Sequence, residues 1–99
     1  MIKKIEKFKA TWCYPCTILS ENLDKILESY PDIELVVYDA DEDEEIFDKL
    51  DIRSVPQLFF YNEDNVEVHH ITGACSSMKL KEIIDYHNKK VIEYSPYGN

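Results

Sequence analysis

The chain has 99 residues, which is enough for one domain with a single hydrophobic core. With 44% hydrophobic and 31% charged residues, its composition is that of an ordinary folded domain. Its formal net charge of −9 argues against nucleic acid and anionic membranes as partners, because both would repel it.

The first half of the chain predicts two strands and two helices. Residues 2–10 alternate between apolar and charged side chains and predict a strand. Apolar residues at 19, 23, 26, 27 and 30 have helical spacing, and this helix should end near Pro31. The apolar run 33–38 predicts a strand covered on both faces. The acid-rich stretch after it predicts a short helix whose buried side is Ile46, Phe47 and Leu50.

The second half predicts a hairpin and a last helix. Strands over 57–61 and 66–72 flank a turn rich in asparagine and acid, and Gly73 ends the pair. Ser76 or Ser77 can cap a helix with apolar spacing at 80, 83, 84, 87 and 91. The order β-α-β-α-β-β-α predicts an α/β fold with a mixed four-stranded sheet and helices on both faces. We expect one domain, 1–99, with 94–99 as a frayed tail.

Cys13-Tyr14-Pro15-Cys16 lies where the first strand meets the first helix. Two thiols at this spacing can close a small disulfide ring within one helical turn. The unpaired N–H groups of a helix N-terminus should hold the pKa of Cys13 below its usual value of about 8.5. No second C-x-x-C or spaced histidine pair completes a zinc site, so we predict no metal. Cys75 is expected to be a small apolar filler or a bystander, and the alternative is a regulatory oxidation site.

The chain resembles the thioredoxin family over roughly residues 2–90, on the evidence of Trp12-Cys13-Tyr14-Pro15-Cys16, Val55-Pro56 and Gly73. The resemblance implies a thioredoxin-like fold that lacks the extra N-terminal strand and helix. It implies that Cys13 is the nucleophile and that Cys16 resolves the mixed disulfide. The substrate-binding residues it implies, with Pro56 in a cis peptide bond, are Trp12, Tyr14, Pro15, Val55, Pro56 and Gly73.

Three positions depart from the family pattern. Tyr14 stands where thioredoxins usually have glycine. Lys7 stands where the family typically buries an acid, and Val37 where a lysine commonly accompanies that acid. We consider two interpretations of Lys7: its amine extends to the rim of the domain, or it lies desolvated with a lowered pKa. In either case it is a candidate for proton handling.

The resulting hypothesis is a monomeric, cytoplasmic thiol–disulfide oxidoreductase that reduces protein disulfides. A flavoprotein thioredoxin reductase would supply its electrons, and no cofactor is expected in the chain itself, which has no Gly-rich phosphate loop. No segment is apolar enough to cross a membrane, and residues 1–9 show no secretory pattern. The alternatives are a glutaredoxin-like or oxidising, isomerase-type enzyme, and a non-enzymatic adaptor that binds partners through Val55-Pro56.

Overall fold

A four-stranded sheet in the order β2-β1-β3-β4 forms the centre of the molecule. The computed structural model describes residues 1–89, so the predicted tail at 94–99 and apolar position 91 lie outside the described residues. The elements are β1 (Ile2–Lys9), α1 (Tyr14–Leu27), β2 (Glu34–Asp39), α2 (Glu44–Lys49), β3 (Gln57–Asn62), β4 (Glu67–Thr72) and α3 (Ser77–Lys89). Strand β1 is parallel to β2 and antiparallel to β3, and β3 is antiparallel to β4. The predicted element order and the mixed sheet are confirmed.

The alternation of side chains along β1 produces two differently covered faces. On one face, Ile5 joins a core in which α1 and α3 pack against the sheet. That core contains Ile2, Ile5, Leu19, Leu23, Leu58, Phe60, Leu80, Ile83 and Ile84. On the other face, the fully buried Phe8 meets Phe47 of α2, with ring centroids 5.3 Å apart. The helices therefore cover both faces, as predicted.

Two expectations about burial are wrong. Strand β2 lies at an edge of the sheet, and its Val37 is 42% exposed, so β2 is not covered on both faces. Leu50 is 50% exposed because α2 ends at Lys49 and leaves Leu50 at the helix C-cap. Phe47 is the buried residue of this short helix.

Asp39 fixes the turn that joins β2 to α2. Its Oδ1 accepts hydrogen bonds from the backbone N–H groups of Asp41 at 2.8 Å and Glu42 at 3.3 Å. Its Oδ2 lies 3.2 Å from Lys9 Nζ. The bond from the Asp41 amide, followed by the contacts with Lys9 and Glu42, holds the pKa of Asp39 below its usual value. This turn carries Ala40, whose N–H donates to the Lys9 carbonyl oxygen at 2.9 Å and ties the end of β2 to β1.

Ser76 caps α3, as the sequence predicts. Its Oγ accepts a hydrogen bond from the Lys79 backbone N–H at 3.1 Å, satisfying one of the donors at the start of the helix.

In the part of the chain that the structure describes, no helix is both long and apolar enough to span a bilayer.

Phe8→Ala should lower the free energy of unfolding by about 3–5 kcal/mol, because the buried ring leaves a cavity that its neighbours cannot fill. Phe8 packs against Tyr38, Phe47 and Phe59, so the loss should also loosen α2. Urea unfolding measures the change. Met78→Ala is the matched control, since Met78 is 71% exposed and its truncation should change stability by less than about 0.5 kcal/mol. Equal losses in the two variants would contradict this account of the core.

Candidate active site

The first turn of α1 holds the two cysteines of the C-x-x-C motif. Cys13 is the N-cap, with φ −100° and ψ 109°, and its Sγ accepts a hydrogen bond from the Cys16 backbone N–H at 3.2 Å. Pro15 lies in the first turn, where its missing N–H leaves no helical bond unmade. The sulfurs of Cys13 and Cys16 form a disulfide across a Cα–Cα distance of 5.3 Å. The structure therefore represents the oxidised form of the pair.

Exposed aromatic side chains flank this disulfide. Trp12 and Tyr14, on either side of Cys13, are 71% and 73% exposed. The sulfur-bearing residues are more enclosed, with Cys13 at 6% and Cys16 at 2% exposure. An incoming group therefore meets two large aromatic surfaces beside a recessed disulfide, with Cys13 less buried than Cys16.

The segment before β3 forms the opposite wall. The Val55–Pro56 peptide bond is cis, as the family resemblance implies. The Val55 carbonyl oxygen lies 3.9 Å from Cys13 Sγ. The Pro56 ring is fully buried, and its carbonyl oxygen accepts a hydrogen bond from the Gly73 N–H at 2.9 Å. The accessible part of this wall is therefore Val55 rather than the proline ring.

Gly73 joins the same wall through its bond to Pro56. Its φ of +92° lies in the left-handed region that glycine adopts without strain. A Cβ built at this position would meet no atom within 4 Å, so the space beside Gly73 is open. These contacts bring together four of the residues that the sequence predicts for the site: Trp12, Cys13, Val55 and Gly73.

A pocket beside Trp12 contains residues that the sequence analysis did not single out. It has a volume of about 160 Å³. Its lining is formed by Trp12, Ala40, Phe47, Ile52, Arg53, Ser54 and Val55. Of these, Trp12 and Val55 belong to the predicted site and Phe47 to the predicted buried side of α2. The other four lining residues, Ala40, Ile52, Arg53 and Ser54, belong to no motif. The pocket is apolar except for Arg53 and Ser54, which are exposed.

Lys7 lies desolvated within the domain instead of extending to the rim. It is 5% exposed, and its Nζ donates a hydrogen bond to Ser20 Oγ at 2.7 Å. Burial is the largest effect on its pKa and lowers it; the charge of Asp24 raises it and that of Lys9 lowers it. Val37, which lies opposite Lys7 on β2, is uncharged.

Cys75 is separate from the disulfide pair. It is partly buried and packs against the main core, and its carbonyl oxygen accepts a hydrogen bond from Asn22 Nδ2 at 2.9 Å. Burial raises the pKa of its thiol. Among residues 1–89, no group of three or more His, Cys, Asp or Glu side chains is arranged to hold a metal ion.

Comparisons with known proteins agree on one family. The family model described as Thioredoxin matches residues 3–86. Thioredoxin from Ophiophagus hannah is 34% identical over 77 residues, which are 78% of this chain and 71% of that protein. Mitochondrial thioredoxin-3 from Saccharomyces cerevisiae is 32% identical over 83 residues, which are 84% of this chain and 65% of the yeast protein. The chain thus spans just under two thirds of the yeast relative.

Solved structures give the same result. A structure described as thioredoxin-2, a component of malaria parasite protein secretion machinery, superposes with a TM-score of 0.78 at 27% identity. The superposition covers 85% of this chain and 82% of that chain. Oxidised mitochondrial thioredoxin 3 from Saccharomyces cerevisiae superposes with a TM-score of 0.70 at 29% identity, covering 83% and 76% of the two chains.

In the reduced protein at neutral pH, iodoacetamide should modify Cys13 first and Cys75 much more slowly. Cys13 lies at a helix N-terminus beside open surface, whereas burial keeps the Cys75 thiol protonated. Peptide mapping by mass spectrometry at successive times measures both rates. The Cys75 rate should increase about tenfold per pH unit up to its raised pKa, because only the thiolate reacts. Faster modification of Cys75 than of Cys13 would contradict this assignment.

Proposed function

The chain belongs to the thioredoxin family of thiol–disulfide oxidoreductases, and from this premise we propose that it reduces disulfide bonds in other proteins. Dithiol exchange through Cys13 and Cys16 would carry the reaction. The observation that carries the proposal is the placement of Cys13 as the N-cap of α1, beside exposed aromatic side chains and the Val55 wall. A helix N-terminus favours a thiolate, and the thiolate is the form that attacks a disulfide.

The first step forms a mixed disulfide. The Cys13 thiolate attacks one sulfur of the substrate disulfide, a bond forms between that sulfur and Cys13 Sγ, and the second substrate sulfur leaves as a thiolate. Backbone N–H groups of the first helical turn are positioned to stabilise Cys13 before the attack, since the Cys16 N–H already points at Cys13 Sγ.

The second step releases the reduced substrate. Cys16 loses its proton and attacks Cys13 Sγ, the bond between Cys13 and the substrate breaks, and the substrate leaves as its second thiolate. The two electrons gained by the substrate come from the two cysteines, which end as the disulfide present in the structure. An external reductant must then restore the dithiol.

Four residues would hold the substrate, and we assign them by position. Trp12 and Tyr14 offer exposed apolar surface next to Cys13. Val55 and the open space at Gly73 would receive an extended substrate segment, with backbone hydrogen bonding as in strand addition. Pro15 and the buried Pro56 would act by shaping the chain around the pair.

A flavoprotein thioredoxin reductase or an equivalent donor is the partner that we propose for restoring the dithiol. The protein would act as a monomer, because all residues assigned to the exchange lie in one chain. We propose the cytoplasm as its location, since its reducing conditions suit repeated turnover. Its relatives include a mitochondrial thioredoxin, so this location is a proposal for this chain alone.

Cys13→Ser should abolish the reduction of a protein disulfide such as that of insulin, with dithiothreitol as the electron donor. Serine cannot form the mixed disulfide, so turnover should fall to the uncatalysed rate. Cys16→Ser should instead stop after the first step and accumulate a covalent complex through Cys13. Turbidity measures turnover, and non-reducing electrophoresis measures the complex.

Cys75→Ser is the matched control, since Cys75 packs with the core, away from the disulfide, and its loss should leave turnover unchanged. If the unmodified chain binds partners but does not accelerate disulfide reduction, this result would contradict the proposed enzymatic activity and support the adaptor alternative. Partner binding that survives Cys13→Ser would point the same way.

The reduction potential of the Cys13/Cys16 couple should lie near or below the cytosolic glutathione poise, roughly −220 to −320 mV depending on method. Equilibration with glutathione and dithiothreitol buffers measures it. A potential near or above about −180 mV would identify an oxidant or isomerase instead of a reductase. Efficient reduction by glutathione would favour the glutaredoxin-like alternative.

A further inference from the structure

The buried amine of Lys7 is an ionisable group that the exchange steps above do not use. Lys7 lies on a strand paired on both sides, opposite the uncharged residues Val37 and Leu58. Burying an amine costs free energy unless other interactions offset it. An apolar side chain of similar volume would pack there without that cost, so packing alone does not account for a lysine.

The hydrogen bond to Ser20 places this amine beside the resolving cysteine. Ser20 follows Cys16 by one helical turn on α1, and residues at this spacing have Cβ atoms about 5–6 Å apart on one side of a helix. Lys7 Nζ lies 2.7 Å from Ser20 Oγ. The amine is therefore on the order of 7 Å from the Cys16 side chain.

The other charges near Lys7 act on it in both directions. Asp24, one turn beyond Ser20, favours the charged amine, and Lys9 on the same strand opposes it. Lys9 is itself paired with Asp39. Cys16, Ser20, Glu21 and Asp24 line one open cleft of about 230 Å³, which gives solvent access to the side of α1 that carries Cys16.

We propose that Lys7 is a positioning residue that sets the acidity of Cys16, with its ammonium group favouring the thiolate that resolves the mixed disulfide. This inference rests on the proposed function. The Cys16 proton passes to water in the cleft, the thiolate attacks Cys13 Sγ, and the substrate sulfur leaves as a thiolate. Lys7 remains protonated and acts by its charge alone. A buried acid at this position would act differently, because an anion promotes the step only by accepting the proton.

Lys7→Met should raise the pKa of Cys16 by roughly one to two, the effect of a unit charge about 7 Å away at an effective dielectric constant of about 20. The Cβ chemical shift of Cys16 in the reduced protein, followed by NMR as the pH is raised, measures this pKa directly. A pKa higher by about one lowers the thiolate fraction at neutral pH about tenfold but makes the thiolate more nucleophilic, so the resolving step should slow about threefold.

Three further variants separate this role from a structural one. Lys25→Met removes the same charge from the exposed last turn of α1 and should leave the Cys16 pKa unchanged. Lys7→Arg keeps the charge and should keep the pKa low. Ser20→Ala removes the hydrogen-bond acceptor that holds the amine near Cys16, so the pKa should rise in the same direction as in Lys7→Met.

An unchanged Cys16 pKa in Lys7→Met would overturn the proposal. Should Lys7→Met fail to fold, an unchanged pKa in Ser20→Ala would overturn it equally. The pKa is measured on the chain alone, without a protein substrate. If the pKa rises as expected in Lys7→Met but the unmodified chain does not reduce insulin, the proposed function is overturned while the link between Lys7 and Cys16 stands.

Discussion

The unpaired amides in the first turn of α1 are the constraint on which the rest of the site depends. A helix that begins directly after a central strand must satisfy these N–H groups, and here the Cys13 sulfur accepts one of them. The same bond sets the direction in which the sulfur points, towards the Val55 carbonyl oxygen. The cap, the disulfide and the substrate wall are consequently parts of one arrangement, and none could move far without the others.

Local patterns predicted most of the fold. The helical spacing of Leu19 and Leu23 corresponds to α1, and the turn residues 62–65 between two predicted strands correspond to the β3–β4 hairpin. The C-x-x-C motif located the disulfide pair in combination with Trp12, the downstream Val55-Pro56 and the predicted element order. These patterns are predictive because the residues that form each of them are only a few positions apart in the sequence. The order of strands is not encoded in this way, and the exposure of Val37 at the edge followed only from β2 pairing with β1 alone.

The environment of Lys7 could not be predicted from local sequence patterns for the same reason. The sequence predicted that Lys7 lies on the first strand. Its desolvation, however, depends on Ser20 from α1 and on apolar neighbours from two other strands. The charges around the disulfide consequently have an unusual distribution, with a cation inside the domain and most of the excess acid outside it, around the β2–α2 turn. An acidic exterior favours partners with basic surfaces and steers their approach, while the interior cation acts only on groups already within the fold.

The position of β2 at the edge also bears on how copies of the chain behave towards one another. Within the described residues, its outer side has no strand partner, and an open edge with β-branched residues such as Val36 and Val37 is a template for pairing with a second chain. Glu34 and Asp39 stand at the two ends of this strand, and the net charge of −9 makes any two copies repel. Near the isoelectric point of about 4.6 the net charge falls to zero, so this repulsion is lost while the edge of β2 remains open. The acidic composition that disfavours nucleic acid as a partner therefore also opposes aggregation through β2 at neutral pH, and this protection is weakest near the isoelectric point.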